Sequence, residues 1–395
     1  MLPLALLCLL QAQLALSQSS VSLALNSLYT PTPTARTTPS LFALPTSSAN
    51  VSVSVALCAS AATPPRFFVS NDSSVRPSQS DVGEPGVYEI TLSQGYGEWR
   101  GPFSDGGYLA VSGAGQVPFE VGVSDGGAMH AAADELPLLG DTTNNQVLLF
   151  SPVLANATLS DSPTYPNYTL PPANLAQPSS DPGLLNGLSL FVAPTTALNG
   201  SSLPLTGCAM RNGQKPVGMT IGTSNATGNG LWLKDEDGWR FQWLVNGLSA
   251  QTNYTAYVIQ DGTKLSGPIN FVTKSVSFSC PIVHSLPYCP STAYSVPVAM
   301  PRPPALAHTA GTLGEAVAAP LLDTLANFTI SLTTFPCGRD AYSPLVSCAD
   351  CQAAYRKWLC AVWFPRCSEA SPSSSSSSSS ASASATSFFG DASSP

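Results

Sequence analysis

The sequence predicts a mainly β protein with a small α-helical, disulfide-rich domain: two β-sandwich-like domains come first and the cysteine-rich helical domain follows. Three observations predict this. Short runs in which apolar and polar residues alternate, separated by Gly, Asp and Pro clusters, fill the chain to about residue 275. Only 10% of the 395 residues are charged, whereas 36 are proline and 30 glycine, a composition that suits turn-linked strands and opposes charged helical bundles. Seven of the ten cysteines then fall between Cys280 and Cys367, where the spacing becomes helical. A net charge of −8 excludes a general phosphate-binding surface, so no nucleic-acid partner is expected.

Residues 1–17 have the apolar run of a signal peptide, Met1-Leu-Pro-Leu-Ala-Leu-Leu-Cys-Leu-Leu10, with Ala15-Leu16-Ser17 as the small-x-small cleavage site. The run lacks a basic n-region, which makes an uncleaved anchor the alternative, but it is short for a membrane span. Residues 18–47, rich in Ser, Thr and Pro, read as a linker with too little apolar surface to offset the entropy of ordering. The tail 368–395 is a disordered serine run without the hydrophobic end that a lipid-anchor signal needs.

The first β-domain is expected over 48–160. Val51-Ser-Val-Ser-Val-Ala-Leu57, Arg66-Phe-Phe-Val69, Val87-Tyr-Glu-Ile-Thr-Leu92, Tyr108-Leu-Ala-Val111 and Pro118-Phe-Glu-Val-Gly-Val123 carry the period of two that antiparallel strands require. Gly107, Gly113-Ala-Gly115 and Asp125-Gly-Gly127 supply the turns. After a Pro-rich bridge, a second β-domain is expected over 183–275, with strands at 188–192, 231–234, 239–244 and 254–259. Its Leu248-Ser-Ala-Gln-Thr-Asn-Tyr254 segment resembles the L-x-P-x-T-x-Y corner of fibronectin type III sandwiches, with Ala250 in place of proline; that makes the domain fibronectin-III-like and predicts a Tyr254 hydroxyl bonded back to the chain.

The cysteine-rich helical domain is expected over 276–367. Leu313 to Leu332 reads as helical turns on either side of Pro320, with Leu321, Leu322, Leu325 and Phe328 on one face. A clearer helix follows, started by the Ser347-Cys-Ala-Asp350 cap and ended before Pro365, whose expected apolar stripe is Cys351, Ala354, Tyr355, Trp358, Leu359 and Val362. Arg356, Lys357 and Trp363 lie off that stripe and are candidates for binding a partner, against the plainer reading of a solvated face.

Eight N-x-S/T sequons, at Asn50, Asn71, Asn156, Asn167, Asn199, Asn225, Asn253 and Asn327, are candidate glycosylation sites if the leader directs the chain to the secretory route. Cys8 falls within the leader and leaves nine disulfide candidates: Cys58, Cys208, Cys280, Cys289, Cys337, Cys348, Cys351, Cys360 and Cys367. Nine is odd, so at least one has no internal partner.

Motifs with chemical meaning have plainer readings. Cys348-Ala-Asp-Cys351 has the C-x2-C spacing of a zinc or redox pair, yet His130, His284 and His308 are remote and the following cysteines are wrongly spaced; structural disulfides fit better. Gly122-Val-Ser-Asp-Gly126 matches the nucleophile elbow of hydrolases, but an Asp-Gly-Gly turn after a strand explains the same letters. Asp235-Glu-Asp237 reads as a hairpin turn rather than a calcium loop. No catalytic residue, metal ligand, cofactor or small-molecule substrate is expected.

Two cysteine blocks carry more. Cys280-Pro-Ile-Val-His-Ser-Leu-Pro-Tyr-Cys289 with Ala293-Tyr-Ser-Val-Pro297, and Tyr342-Ser-Pro344 with the run from Cys348 through Ala354-Tyr355, Trp358-Leu-Cys-Ala-Val362 and Pro365-Arg-Cys367, resemble the fungal stretch-activated calcium channel regulatory subunits of the mating-induced-death family. A weaker match covers Phe67-Phe-Val-Ser70, Pro118 to Val123 and Cys208. The resemblance implies an extracellular glycoprotein, reaching the plasma membrane by the secretory pathway. It would be the auxiliary partner of the pore-forming alpha subunit of a voltage-gated-type calcium channel, with a cysteine-rich domain similar to frizzled-type modules. A secreted, wall-associated adhesion glycoprotein is the alternative that composition leaves open. The family pattern usually continues past P-R-C into another cysteine block, where this sequence enters its serine run, so the framework ending at Cys367 is expected to be part of a larger one.

Overall fold

The computed structural model describes residues 20–30, 40–113, 117–133, 135–154, 187–199, 201–212, 230–234, 238–335 and 346–369. The leader, the serine tail, Cys337, Asp235 to Asp237 and the sequons at Asn156, Asn167 and Asn225 lie outside them. The chain divides into two units, one of residues 1–133, 200–215 and 259–265, the other of 134–199, 216–258 and 266–395.

The first unit is a β-sandwich. Its strands are β1 (Val21–Ser22), β2 (Ser27–Tyr29), β3 (Leu41–Leu44), β4 (Ser47–Leu57), β5 (Arg66–Ser70), β6 (Val87–Ile90), β7 (Tyr96–Phe103), β8 (Gly107–Ser112) and β9 (Phe119–Ser124). One sheet runs β1-β3-β8-β5-β6 and the other β2-β9-β4-β7. In the central β4 the register Val53↔Val123 and Val55↔Val121 puts the alternate valines on one face, against Phe42, Phe67 and Leu109 of the facing sheet. The strand signals at 51–57, 66–69, 87–92, 108–111 and 118–123 all become strands.

Residues 18–47 differ from the expected linker. They contain β1, β2 and β3, and Leu23, Phe42 and Leu44 enter the sandwich core. The Ser/Thr/Pro average concealed a few large apolar residues, and Phe42, fully buried, forms an edge-to-face pair with Phe119 at 6.1 Å.

The second unit holds another sandwich: β10 (Leu138–Thr142), β11 (Gln146–Phe150), β13 (Gly230–Lys234) and β14 (Gly238–Asn246) in the order β10-β11-β14-β13, with β12 (Ser189–Pro194), β15 (Asn253–Gln260) and β16 (Lys264–Val272) as the second sheet. Its core joins Val147, Leu149, Phe241, Trp243 and Val245 to Leu190, Val192, Tyr254 and Val258. The expected corner is present, with the Ser249 N–H donating to Tyr254 Oη at 2.9 Å. The boundary expected at residue 160 is corrected: β10 and β11 pair into this sheet through Leu149↔Trp243, so the strands at 138–150 belong to the second sandwich. Their run Val147-Leu-Leu-Phe150 is apolar throughout because both faces are covered, Leu148 and Phe150 packing with Ile282, Ala293 and Ala307.

Short helices occur at α1 (Thr195–Asn199) and α2 (Gly207–Asn212), the latter carrying Cys208. A Cβ on Gly207 would sit 2.7 Å from the Thr263 carbonyl oxygen, so only glycine fits there. The cysteine-rich region contains the β17 (Ile282–Val283) and β18 (Tyr294–Ser295) pair, α3 (Glu315–Leu332) and α4 (Cys348–Trp363). Pro320 lies inside a continuous 18-residue α3 rather than dividing it. It is the sixth residue of the helix, past the first turn, where the Ala318 N–H already bonds to the Gly314 carbonyl, so the helix continues without the one bond that the Pro320 nitrogen cannot donate. Among the described residues no helix is long and apolar enough to cross a membrane.

Candidate functional site

The site is built on the cysteine-framed helices. Ser347 caps α4 in both directions: the Asp350 N–H donates to its Oγ at 3.2 Å, and its own N–H donates to Asp350 Oδ2 at 2.8 Å. The Ser347 N–H and then the Ser347 hydroxyl, both donating to the carboxylate, hold the Asp350 carboxyl below the usual carboxylate range. The helix stops at Phe364, where Pro365 disfavours continuation.

Two disulfides close the framework. Cys280–Cys367 and Cys289–Cys360 span 87 and 71 residues, and each closure of that length constrains the unfolded chain by about 4.5 kcal/mol in the loop-entropy picture. Cys348 is also disulfide-bonded, and Cys351 is a free, exposed thiol, so the C-x2-C pair is divided between two fates. Cys58–Cys208 joins β4's end to α2 in the first unit.

The face of α4 that packs inward is only partly the one the spacing predicts: Leu359 and Tyr355 of the expected stripe join the core. Gln352, Arg356, Leu359 and Cys360 are buried, and Trp363 is half-buried with its Nε1–H donating to the Val317 carbonyl at 3.1 Å. Cys351 and Ala354 are exposed, while Trp358 and Val362 of the expected stripe are 57% and 59% exposed. Cys360 fixes the orientation: bonded to Cys289, it must face inward, and Arg356 and Gln352 lie one and two turns before it on the same face. Gln352 accordingly reaches α3, its Nε2–H donating to Thr329 Oγ1 at 2.7 Å. Of the three partner-binding candidates Lys357 is exposed, Arg356 is 4% exposed and Trp363 is committed to α3.

Beside this helix is a cleft of about 240 Å3, lined by Cys289, Pro290 and Ser291 on one side and by Asp350, Ala353, Arg356 and Lys357 on the other. Phe328 of α3 stacks on half-buried Tyr355 of α4 with centroids 3.7 Å apart, and Tyr355 meets exposed Trp358 at 5.5 Å.

Polar clusters that the sequence did not single out hold the framework in place. Asp141, 4% exposed, accepts from the Ser295 N–H at 3.0 Å and pairs with Lys274 at 3.0 Å and Arg366 at 3.2 Å. Burial pushes its carboxyl up, but the backbone N–H of Ser295, the Lys274 charge and the Arg366 side chain outweigh that and hold it below the usual carboxylate range. His284, 1% exposed, has Nδ1 2.9 Å from Gln242 Nε2, and burial alone lowers its pKa to about 4. His308 lies 2.7 Å through Nε2 from the Ala299 carbonyl.

The first unit buries a third cluster. His130 Nδ1 lies 2.9 Å from Ser54 Oγ, its Nε2 is 3.5 Å from Glu120 Oε2, and Glu120 Oε1 accepts from Arg211 at 2.8 Å. Cys58, Glu120 and Cys208 offer ligand atoms within 4.8 Å of one another, but both sulfurs are spent in the disulfide. Ser124 of the hydrolase-like motif ends β9, accepts from the Gly126 N–H at 3.1 Å and is followed by turns instead of the helix that a nucleophile elbow requires. Among the described sequons Asn50, Asn199, Asn253 and Asn327 are exposed and Asn71 is partly so.

A family model described as a stretch-activated Ca2+-permeable channel component, Mid1, matches residues 48–393, and the chain belongs to that family. The stretch-activated cation channel MID1 of Cryptococcus neoformans is 34% identical over 326 residues, covering 73% of this chain and 52% of that protein. MID1 of Saccharomyces cerevisiae is 31% identical over 263 residues, 58% of this chain and 44% of that one. The stretch-activated cation channel yam8 of Schizosaccharomyces pombe is 31% identical over 181 residues, 42% and 34%. The chain thus spans about half the length, or less, of these relatives. A two-domain fibronectin type III segment of chicken tenascin, 12% identical, covers 63% of this chain and 98% of its own with a TM-score of 0.17. The fold described above stands on its own strand pairing.

Proposed function

We propose that this chain is an extracellular, non-catalytic auxiliary subunit that associates with the pore-forming alpha subunit of a voltage-gated-type calcium channel and supports calcium influx. In this reading membrane association comes through that partner, the leader directs the chain through the secretory pathway, and the exposed asparagines of the sequons carry glycans. The observation that carries the reading is the family match over residues 48–393, which takes in the first sandwich from β4 onward, the second sandwich and the disulfide-framed helices. The arrangement suits a binding role: buried polar groups pair with one another, and the rigid α4 presents aromatic surface outward. Co-expression with a pore-forming alpha subunit, followed by affinity capture and measurement of calcium uptake, tests it. Capture of the alpha subunit and a rise in uptake over alpha alone are expected; absence of both would overturn the reading.

A further inference from the structure

The outer groove between α3 and α4 is aromatic and carries a sequon on its wall. The two helices run antiparallel, with Thr329 opposite Gln352 and Val317 opposite Trp363. Phe328 and Tyr355 stack across the seam at 3.7 Å, and both are half-buried, so their rings floor the groove. On α3 the core side is marked by Leu321, Leu325 and Leu332. At about 100° per residue, Phe328 lies about 60° to one side of Leu325, and Asn327 lies about 100° further round in the same sense. Asn327 is exposed and forms the solvent-side wall next to the stack. On α4, Trp358 lies about 60° beyond Tyr355, again away from the buried side. It is 57% exposed and 5.5 Å from Tyr355, and with Val362, 59% exposed, it makes the opposite wall.

The three residues of the sequon Asn327-Phe-Thr329 are all placed at this groove. Asn327 holds the acceptor nitrogen on one wall, Phe328 lies in the floor, and Thr329 Oγ1 accepts from Gln352 at 2.7 Å, which ties the sequon to α4. An N-linked glycan begins with N-acetylglucosamine rings, whose C–H faces are apolar and whose edges carry hydroxyl and acetamido groups. Such a ring packs on an aromatic face while its polar edges stay in water, so it covers apolar surface without burying an unpaired polar group. The floor and one wall of the groove offer aromatic faces, and the other wall holds the atom to which the sugar is joined. A cover for Trp358 therefore comes from the chain's own modification and needs no second molecule.

We infer that a glycan on Asn327 lies in the α3–α4 groove, packed over the Phe328–Tyr355 stack and against Trp358, as a covalent cover for the helix pair. The inference rests on the secretory route in the proposed function. It leaves Lys357 and Ala361, exposed on the opposite outer side of α4, open to a protein partner.

The test compares the full chain, secreted from a eukaryotic host, with Asn327→Gln, Trp358→Ala and the double variant. Asn50→Gln, at an exposed sequon of the first unit, is the control. Glycopeptide mass spectrometry reads occupancy, acrylamide quenching of tryptophan fluorescence reads the cover, and thermal melts read stability. Among the described residues Trp358 is the one exposed tryptophan, so it dominates the quenching. Asn327 is expected to be occupied, and Asn327→Gln to be quenched more strongly than the parent and to melt roughly 2–4 °C lower. In the Trp358→Ala background, loss of the sugar is expected to leave quenching unchanged and to lower the melt by less. Asn50→Gln is expected to leave quenching as in the parent. An unoccupied Asn327, or equal quenching of the parent and Asn327→Gln, would overturn the inference and leave the channel-subunit reading standing. If no sequon carries sugar, the secretory reading falls, and the comparison is repeated on the chain exported behind a substitute leader. Occupancy of Asn327 with a shielded Trp358 supports the inference there, and an empty Asn327 or an unshielded Trp358 overturns it.

Discussion

Acidification should weaken the second unit through His284. Its imidazole is 1% exposed and held neutral, with Nδ1 facing the Gln242 amide and the Ser285 hydroxyl at 2.9 and 2.8 Å. Burial lowers its pKa from 6.5 to about 4. The unfolded chain therefore binds the proton more readily than the folded one. Stability is fully present above the unfolded value and is lost as pH falls through the interval from 6.5 to about 4. The difference corresponds to roughly 3 kcal/mol between about pH 7.5 and about pH 4. For a domain of 150–250 residues that is a melting shift of roughly 6–12 °C. Thermal unfolding followed by circular dichroism across that range measures it, with His284→Gln as the control. The variant should start less stable at neutral pH and lose this part of the pH dependence. An unchanged acid loss in the variant would refute the reasoning, as would a wild-type midpoint that stays within about 2 °C over the range.

Asp141→Asn should destabilise the same unit by about 2–4 kcal/mol in urea unfolding, because it leaves the largely buried Lys274 without its counter-charge; in the parent this carboxylate's contribution is lost only at pH values below the His284 interval, where its lowered pKa lies. Tyr254→Phe should cost about 1 kcal/mol by removing the acceptor for the Ser249 N–H, read as a shift in urea midpoint at unchanged slope. Glu120→Leu should destabilise the first unit by about 3 kcal/mol, since it leaves the fully buried His130 and the Arg211 side chain without their carboxylate.

How much of this was legible in the sequence depends on whether one face or two were covered. β4's alternating valines announced a strand and its core face correctly, but Ser52 and Ser54 on the reverse face are buried too, because Ser54 meets His130 there. A period of two identifies a strand without saying whether its polar side is wet. The corner at Tyr254 was readable because a local spacing determines a local hydrogen bond. Asp141 was not, since Lys274, Ser295 and Arg366 come to it from 133, 154 and 225 residues away. Nothing in the neighbourhood of Asp141 records those partners.

The α4 helix carries the argument furthest. Hydrophobic periodicity found its limits, and the Ser347–Asp350 cap and Pro365 placed its ends, yet the same periodicity was right about the inward face only at Tyr355 and Leu359. Apolar spacing reports which residues avoid water, and that requirement is met equally by a core and by a partner. A disulfide discriminates between them: Cys360 must reach Cys289, which turns Arg356 and Gln352 inward whatever their polarity and leaves Trp358 and Val362 outside. Trp358 and Val362, which covalent geometry holds away from the core, carry a cost in solvation that the fold itself does not require. On a helix fixed at both ends by caps and along its length by a cystine, that pair is a rigid surface on which a partner loses little further conformational freedom of this chain when it binds.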